Sequence, residues 1–469
     1  AFTKAELDGA SWFFIERDEA GSYIGAIKGT NIYVWTTADG TFCTVTNNGA
    51  SYLTGTAQNN YHFRSIQDTT IITNKTVTTA MLAAGTFVAN SVATLKLLTL
   101  VETFSYTVTI QNVEATVTAQ NNTTFDDMLL YDAGDVDTNH HLIDKIKSVI
   151  EAQHSASNAA FAGRWYLEGY NNSIVIKRGT GANAVVTDYS AVTGTPLHFE
   201  IDARGGPNNT ALEVFEDDVT DVYKLPLESF TDHNVRVLNS DSAEDDYHVK
   251  FVAYDTTLNR GRGYWKETVA RDASPGLNAT TMPYQLENTG ALTFAFNPIS
   301  WKAREAGDDV TSPIPSFIGF PVQASFFYSN RFGVLSQDNA IFGVSNDTFN
   351  FFVKSALTQV DSDPIDLNVS SVRPVTLSDV LPSPQGLLLF SARQQFQVYS
   401  TDVSILTPTT AVIRTLSNYE MATDIAPVDV GITASFINRV PGYSKLFTMQ
   451  LRDVEQSPLV VEISKIVLE

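Results

Sequence analysis

Hydrophobic and polar positions alternate along this chain in short runs, and tight polar turns break the runs. Trp12-Phe13-Phe14-Ile15 is followed by a polar stretch and then by Tyr23-Ile24-Gly25-Ala26-Ile27. Gly29-Thr30-Asn31 separates that run from Ile32-Tyr33-Val34-Trp35, and Asp39-Gly40 is a hairpin signal before residues 42–45. Strands this short, joined by turns this tight, predict antiparallel sheet. The unit recurs: residues 69–77, 325–335 and 386–399 each read as an apolar strand, a polar turn and a second strand. Hydrophobic hairpins repeated at long intervals point to propeller blades, each needing neighbours to bury its faces. Any antiparallel β domain also yields some hairpins of this kind.

The middle of the chain, about residues 95–238, has a different rhythm. Across residues 104–117, Tyr106, Val108 and Ile110 fall on one face and Thr107, Thr109 and Gln111 on the other. The clearest helix is predicted over residues 140–153, where Leu142, Ile143, Ile146, Val149 and Ile150 share one side. Asp137-Thr138 opens it, and Thr138 or Asn139 can cap it. Trp165-Tyr166-Leu167, the turn Asn171-Asn172 and residues 173–177 form another hairpin. This block reads as an α+β module inserted into an all-β domain. After Asp246, strands return at residues 247–254, 264–269 and 292–296, with Ser274-Pro275-Gly276 and Ser312-Pro313-Ile314-Pro315 as rigid connectors. Phe349-Asn350-Phe351-Phe352 reads as strand core. The expected fold is mainly β, a β-propeller with an inserted α+β domain. The expected division is 1–82, 83–240, 241–316 and 317–469.

Composition narrows the function. The 469 residues are 43% hydrophobic, enough for the cores of about three domains. Acidic residues number 52 against 30 basic ones, a net charge of -22. Phosphate affinity rests on Lys and Arg, so this balance excludes a generic nucleic-acid binder, though not a protein that handles DNA without holding it. Cys43 stands alone, which excludes an intramolecular disulfide and a multi-cysteine metal site. No run reaches the ~20 apolar residues of a spanning helix. Ala1-Phe2-Thr3-Lys4 has neither an initiator Met nor the start of a secretory signal, and residues 459–469 stop in a strand-like run. More chain is expected beyond both ends.

Few residues suggest chemistry. Asp361, Asp363 and Asp366 could supply oxygen ligands to calcium, but their spacing fits no EF-hand, and an Asx-type turn fixed by Pro364 is the simpler account. His140 and His141 diverge by about 100° on a helix, too far apart to share a metal. His62, His154, His198, His233 and His248 are scattered. Residues 179–184 begin like a phosphate loop but lack its third glycine, and a strand follows. The acidic runs Glu216-Asp217-Asp218 and Glu244-Asp245-Asp246 read as solvated loops. No nucleophile, base and oxyanion donor can be assembled. Catalytic, cofactor-binding and metal-ligating residues are therefore expected to be none.

The stretch from Asp246 to about Val398 resembles tail tubular protein B, the tail nozzle family of short-tailed podovirus phages. The resemblance is carried by Tyr264-Trp265-Lys266-Glu267-Thr268, Thr281-Met282-Pro283, Ser316-Phe317-Ile318-Gly319, residues 326–336, Phe349-Asn350-Phe351-Phe352 and Asp363-Pro364-Ile365-Asp366-Leu367, in the family's order and spacing. Weaker similarity reaches back through Ile15-Glu16-Arg17-Asp18 and residues 66–77. The resemblance implies a structural virion protein without catalytic residues or cofactors. It implies a hexameric tube below the portal and adaptor, conducting double-stranded genomic DNA during ejection. Residues 83–240 would be a platform domain meeting the adaptor ring, and residues 241–316 would help dock tail fibres. A lumen with net negative charge would repel phosphate and let DNA pass, although acidity also serves solubility. The competing readings are a carbohydrate-binding or carbohydrate-cleaving propeller, with Trp12, Trp35, Trp165, Trp265 and Trp301 as stacking platforms, and a secreted adhesion module.

Overall fold

The computed structural model describes residues 7–16, 21–130, 140–155, 158–192, 194–239, 246–383, 385–401, 405–451 and 458–464. The chain divides into two compact units. The first comprises residues 1–83, 274–305 and 312–469; the second comprises residues 84–273 with the short return 306–311. Both are mainly β.

The first unit is a series of four-stranded antiparallel meanders. Ser11–Glu16, Ser22–Lys28, Asn31–Thr36 and Phe42–Asn47 form the first. The second is Tyr61–Ile66, Thr69–Asn74, Tyr284–Gly290 and Thr293–Pro298, so residues 84–273 of the second unit are inserted in sequence between its second and third strands, and the short return 306–311 follows its fourth. These two meanders share one eight-stranded sheet through a parallel pairing of their last strands, Thr293 opposite Thr44. The third is Ala324–Tyr328, Arg331–Ser336, Asn339–Phe342 and Ile365–Asn368. The fourth is Leu377–Ser383, Gly386–Ser391, Gln395–Ser400 and Ala411–Ser417, and the fifth is Val428–Asp429, Ala434–Val440, Tyr443–Gln450 and Leu459–Glu462. The first strands of the first four meanders lie side by side in order.

Period-two patterning lets one strand serve two cores. Phe13, Ile15, Tyr23, Val34 and Cys43 of the first meander pack on Ile72, Leu286 and Phe296 of the second. Ile71, one residue from Ile72, faces the other way and meets Phe332, Val334 and Ile341 of the third. Phe326, Leu335 and Phe342 of the third then pack on Leu387, Leu389 and Val398 of the fourth. Leu388 and Phe390 of the fourth meet Phe436, Phe447 and Met449 of the fifth. Two cross-strand pairs tighten this stacking: Phe13 lies over Gly25 and Phe326 over Gly333, where an added Cβ would come within 2.2 and 2.3 Å of the ring.

The turns follow their local chemistry. Ser329 and Asn330 both take positive φ (50° and 58°) in the hairpin expected over residues 325–335. The hairpin expected over residues 386–399 also forms. The one expected over residues 69–77 does not: Thr69–Asn74 pairs back onto Tyr61–Ile66 around Gln67-Asp68. Asn74 is buried; its amide donates to the Tyr52 carbonyl (2.7 Å), and its Oδ1 accepts from the Thr76 amide (3.0 Å), which turns the chain out of the sheet. Phe351 and Phe352 are core residues as expected, but they sit in a loop rather than a strand.

In the second unit, a five-stranded sheet runs in the order Ala184–Val185, Arg164–Tyr170, Ser173–Gly179, Val92–Leu97, Leu212–Phe215. A three-stranded sheet of Ile201–Gly205, Ser105–Ile110 and Val113–Thr118 and the helices Phe125–Leu129 and Leu142–Ser155 close over one core. Leu142, Ile143, Ile146 and Ile150 bury the predicted helical face there, against Trp165 and Phe199. The expected cap residues Asp137, Thr138 and Asn139 lie outside the described residues. A further five-stranded sheet, Asp218–Val219, Asn234–Val237, Tyr247–Ala253, Arg260–Thr268 and Glu228–Phe230, completes the unit.

Candidate functional site

Every inner meander of the first unit is sandwiched on both sides, and the two end meanders are not. On the first, alternation sends Phe13 and Ile15 inward and Trp12 and Phe14 outward, 48% and 60% exposed. Trp12 stacks on Trp35 (5.9 Å between ring centres), and Trp35 contacts Phe42 (5.8 Å), so the outer face is an aromatic ladder. On the fifth meander, Val428, Leu446, Val461 and Ile463 are exposed on the side opposite Phe436 and Met449. Apolar faces of this extent on a sheet mark contact surfaces.

A cavity of about 1150 Å³ opens where the first strands of the second, third and fourth meanders begin, at Asn60, Gln323 and Thr376. Lys75, Arg373 and Arg393 line it, with Glu420 as the one acidic wall residue. Ionisable groups are buried close by. His62 Nε2 lies 3.8 Å from Asp379 Oδ1, and His62 Nδ1 accepts from the Ser325 amide (3.3 Å). Burial, helped by the charges of Lys75 and Arg64, pushes His62 down to about 3 and keeps it neutral. Burial raises Asp379 and lowers Arg64 and Lys75.

The residues singled out in sequence go to separate places. Asp363 Oδ2 accepts from the Val360 amide (2.8 Å), and Asp366 accepts from the Ser316 amide and hydroxyl (2.9 and 2.7 Å). The Asp361 carbonyl accepts from Arg331 (2.7 Å). The carboxylates of Asp363 and Asp366 thus serve different partners. His141 Nδ1 contacts the Leu130 carbonyl and His198 Nδ1 the Ala89 carbonyl (2.9 Å); burial lowers His154 and His248. Of the tryptophans, Trp165 is fully buried with Nε1 donating to the Phe161 carbonyl (3.0 Å), and Trp265 donates to the Pro226 carbonyl (2.7 Å). Trp301 packs among Phe332, Phe349 and Phe351. Trp12 and Trp35 supply the exposed stack. A strand, Ala184–Val185, follows the glycine pair Gly179 and Gly181, as expected.

The run Glu216-Asp217-Asp218 is not a solvated loop. Asp217 is buried, its Oδ1 3.5 Å from His233 Nε2, while Asp218 is shared by Arg236 (3.2 Å) and Arg271 (2.7 Å). Burial, then the neighbouring Asp217, pushes Glu216 up to about 7. Of the second acidic run, Glu244 and Asp245 lie outside the described residues; Asp246 accepts from the Asn239 amide (2.7 Å). The Ser229 hydroxyl meets His233 Nδ1 (2.8 Å), giving a serine–histidine–aspartate row that sequence spacing did not reveal. Ser229 is 0% exposed and His233 is packed on Trp265, so the row is closed to a substrate and fastens the sheet.

Sequence reasoning also missed Arg331, which is 1% exposed and donates to the carbonyls of Gly343, Ser362, Asp363, Asp361 and Leu406 at 2.6–3.4 Å. It ties the third meander to the loop that precedes the last strand of the fourth. Its one legible signal is its place just after the two positive-φ residues of a hairpin.

A family model described as bacteriophage nozzle protein matches residues 2–469. The chain is also similar to the tail tubular protein gp12 of Escherichia phage T7, 29% identical over 213 residues. That match covers 45% of this chain and 26% of the phage T7 protein, so the chain spans about a quarter of the length of the curated relative it matches.

Proposed function

Since the chain belongs to the bacteriophage nozzle protein family, which places it in the tail of the phage virion as a structural protein, we propose that it works by shape and assembly, without catalysis. The first unit is part of a β-propeller, and the second is the platform that meets the adaptor ring. Six copies form a tube that conducts genomic DNA during ejection, and part of their outer surface docks tail fibres. The observation that carries this reading is the row of meanders, the inner ones each wedged between two others, which ends in two apolar faces. Inner strands side by side and cores repeated on alternate faces are what a propeller requires, and further blades of the same kind would cover the ends. Repeated heterologous contacts then close a ring of copies.

The net charge of -22 supports a passage that does not retain DNA. Electron microscopy of the full-length protein mixed with its adaptor tests the assembly. Rings with six-fold symmetry and a closed propeller in each subunit are expected; a lone particle, or a row of sheets that stays open, would overturn it. Replacing lumen-facing acids by Lys should slow genome ejection, and unchanged kinetics would remove the electrostatic part.

A further inference from the structure

The cavity at the start of the inner strands has the opposite electrostatic character from the chain that builds it. Acids outnumber bases 52 to 30 overall, yet three cations, Lys75, Arg373 and Arg393, face a single acid, Glu420, across this space. The rest of the wall is rich in amide and hydroxyl donors, with Asn60 and Gln323 among them. None of the three cationic head groups has a hydrogen bond or ion pair among the described residues. Lys75 is the most telling. Burial disfavours its charge, and the attraction of Asp379 only partly offsets that. An ammonium partly withdrawn from water beside an open cavity, and only partly compensated by Asp379, is stabilised further by an anion that enters.

We propose that this cavity binds a phosphate-bearing anion. Two guanidinium forks and an ammonium lining one cavity together with neutral donors suit tetrahedral oxyanions, which accept several charge-assisted hydrogen bonds at once. A volume of about 1150 Å³ exceeds that of one orthophosphate and has room for linked phosphates. Lys75 forms the inner wall, and the exposed Arg373 and Arg393 form the rim. The free source of such an anion is an oligophosphate, and the polymeric source is the phosphodiester backbone of a nucleic-acid strand.

Calorimetric titration of the folded chain with inorganic tripolyphosphate at moderate salt, and separately with a short single-stranded oligonucleotide, tests the proposal. Saturable binding of at least one probe is expected, weakened roughly tenfold or more by Arg393→Gln and by Lys75→Met. Arg439→Gln, which removes an exposed ion pair with Asp424, should leave it unchanged. Arg393 is exposed, so its variant keeps the test usable if Lys75→Met fails to fold. Tighter binding of the oligonucleotide, lost in the same variants, identifies the polymeric source; tighter binding of tripolyphosphate identifies the free one. No saturable binding of either probe at millimolar concentration, or binding indifferent to both cavity variants, would overturn the proposal.

Discussion

The two units solve the same burial problem in opposite ways. In the inserted unit, two sheets and two helices close around Trp165, Phe161, Ile146 and their neighbours, and the core is complete within one segment of chain. In the first unit no meander is complete alone: Phe326 needs Leu387 and Leu389 from the next sheet, just as Ile71 needs Val334 from the one after it. The inserted unit can satisfy itself, whereas the row of meanders is satisfied only in its middle. A fold of the first kind tolerates being inserted; one of the second kind is extended by adding neighbours.

Substitutions can break this comparison, and the largest effect is expected at Arg331. Arg331→Met should remove about 5 kcal/mol from the first unit in urea unfolding, because five backbone carbonyls lose one shared donor in a buried place. The transition of the inserted unit should not move. Next comes the core between the third and fourth meanders: Phe326→Ala should cost about 4 kcal/mol, close to the cost of Trp165→Ala in the self-contained core, which measures both units on one scale.

A pH dependence separates the units in another way. Glu216 titrates near 7 in the folded state against an ordinary value of 4.5, so folding favours its protonated form. Its contribution is therefore fully present below about 4.5 and is lost as pH rises through about 7. Unfolding of the inserted unit should show this loss between about pH 4.5 and pH 7, and Glu216→Gln should flatten it; an equal slope in both proteins would contradict the assignment. The smallest effect is expected on the outer aromatic ladder. Phe14→Ser should change the stability of this chain by about 0.5 kcal/mol, and Trp12→Ser, which also loses the stack on Trp35, by about 1 kcal/mol. A larger loss would mean that the face is already covered in solution.

Much of the architecture was legible in order along the chain. Alternation from Tyr106 to Ile110, the apolar stripe from Leu142 to Ile150 and the turn residues Ser329-Asn330 each act within a few positions and formed where expected, whereas the alternation read on to residue 117 is broken by a hairpin turn at Gln111-Asn112. The misplaced hairpin over residues 69–77 shows the limit of that reading. The partners of Thr69–Asn74, Tyr61–Ile66 on one side and Tyr284–Gly290 on the other, include a strand that lies beyond residues 84–273. The acidic run at Glu216 failed for a related reason: charge alone suggests solvent, while Arg236 arrives from another strand and His233 and Arg271 from loops.

By itself, then, the sequence determined the β class, the helix and most of the turns, because these depend on side-chain periodicity and backbone preference over neighbouring residues. Its motifs also carried the likeness to the nozzle family. Only the tertiary structure decided the order of the stacked sheets, the burial of Arg331, the closed row of Ser229, His233 and Asp217, and the gathering of Lys75, Arg373 and Arg393 around one cavity. A polar side chain reads alike in any sequence; whether it meets water, a carbonyl or another charge is set by strands that fold against it from far along the chain.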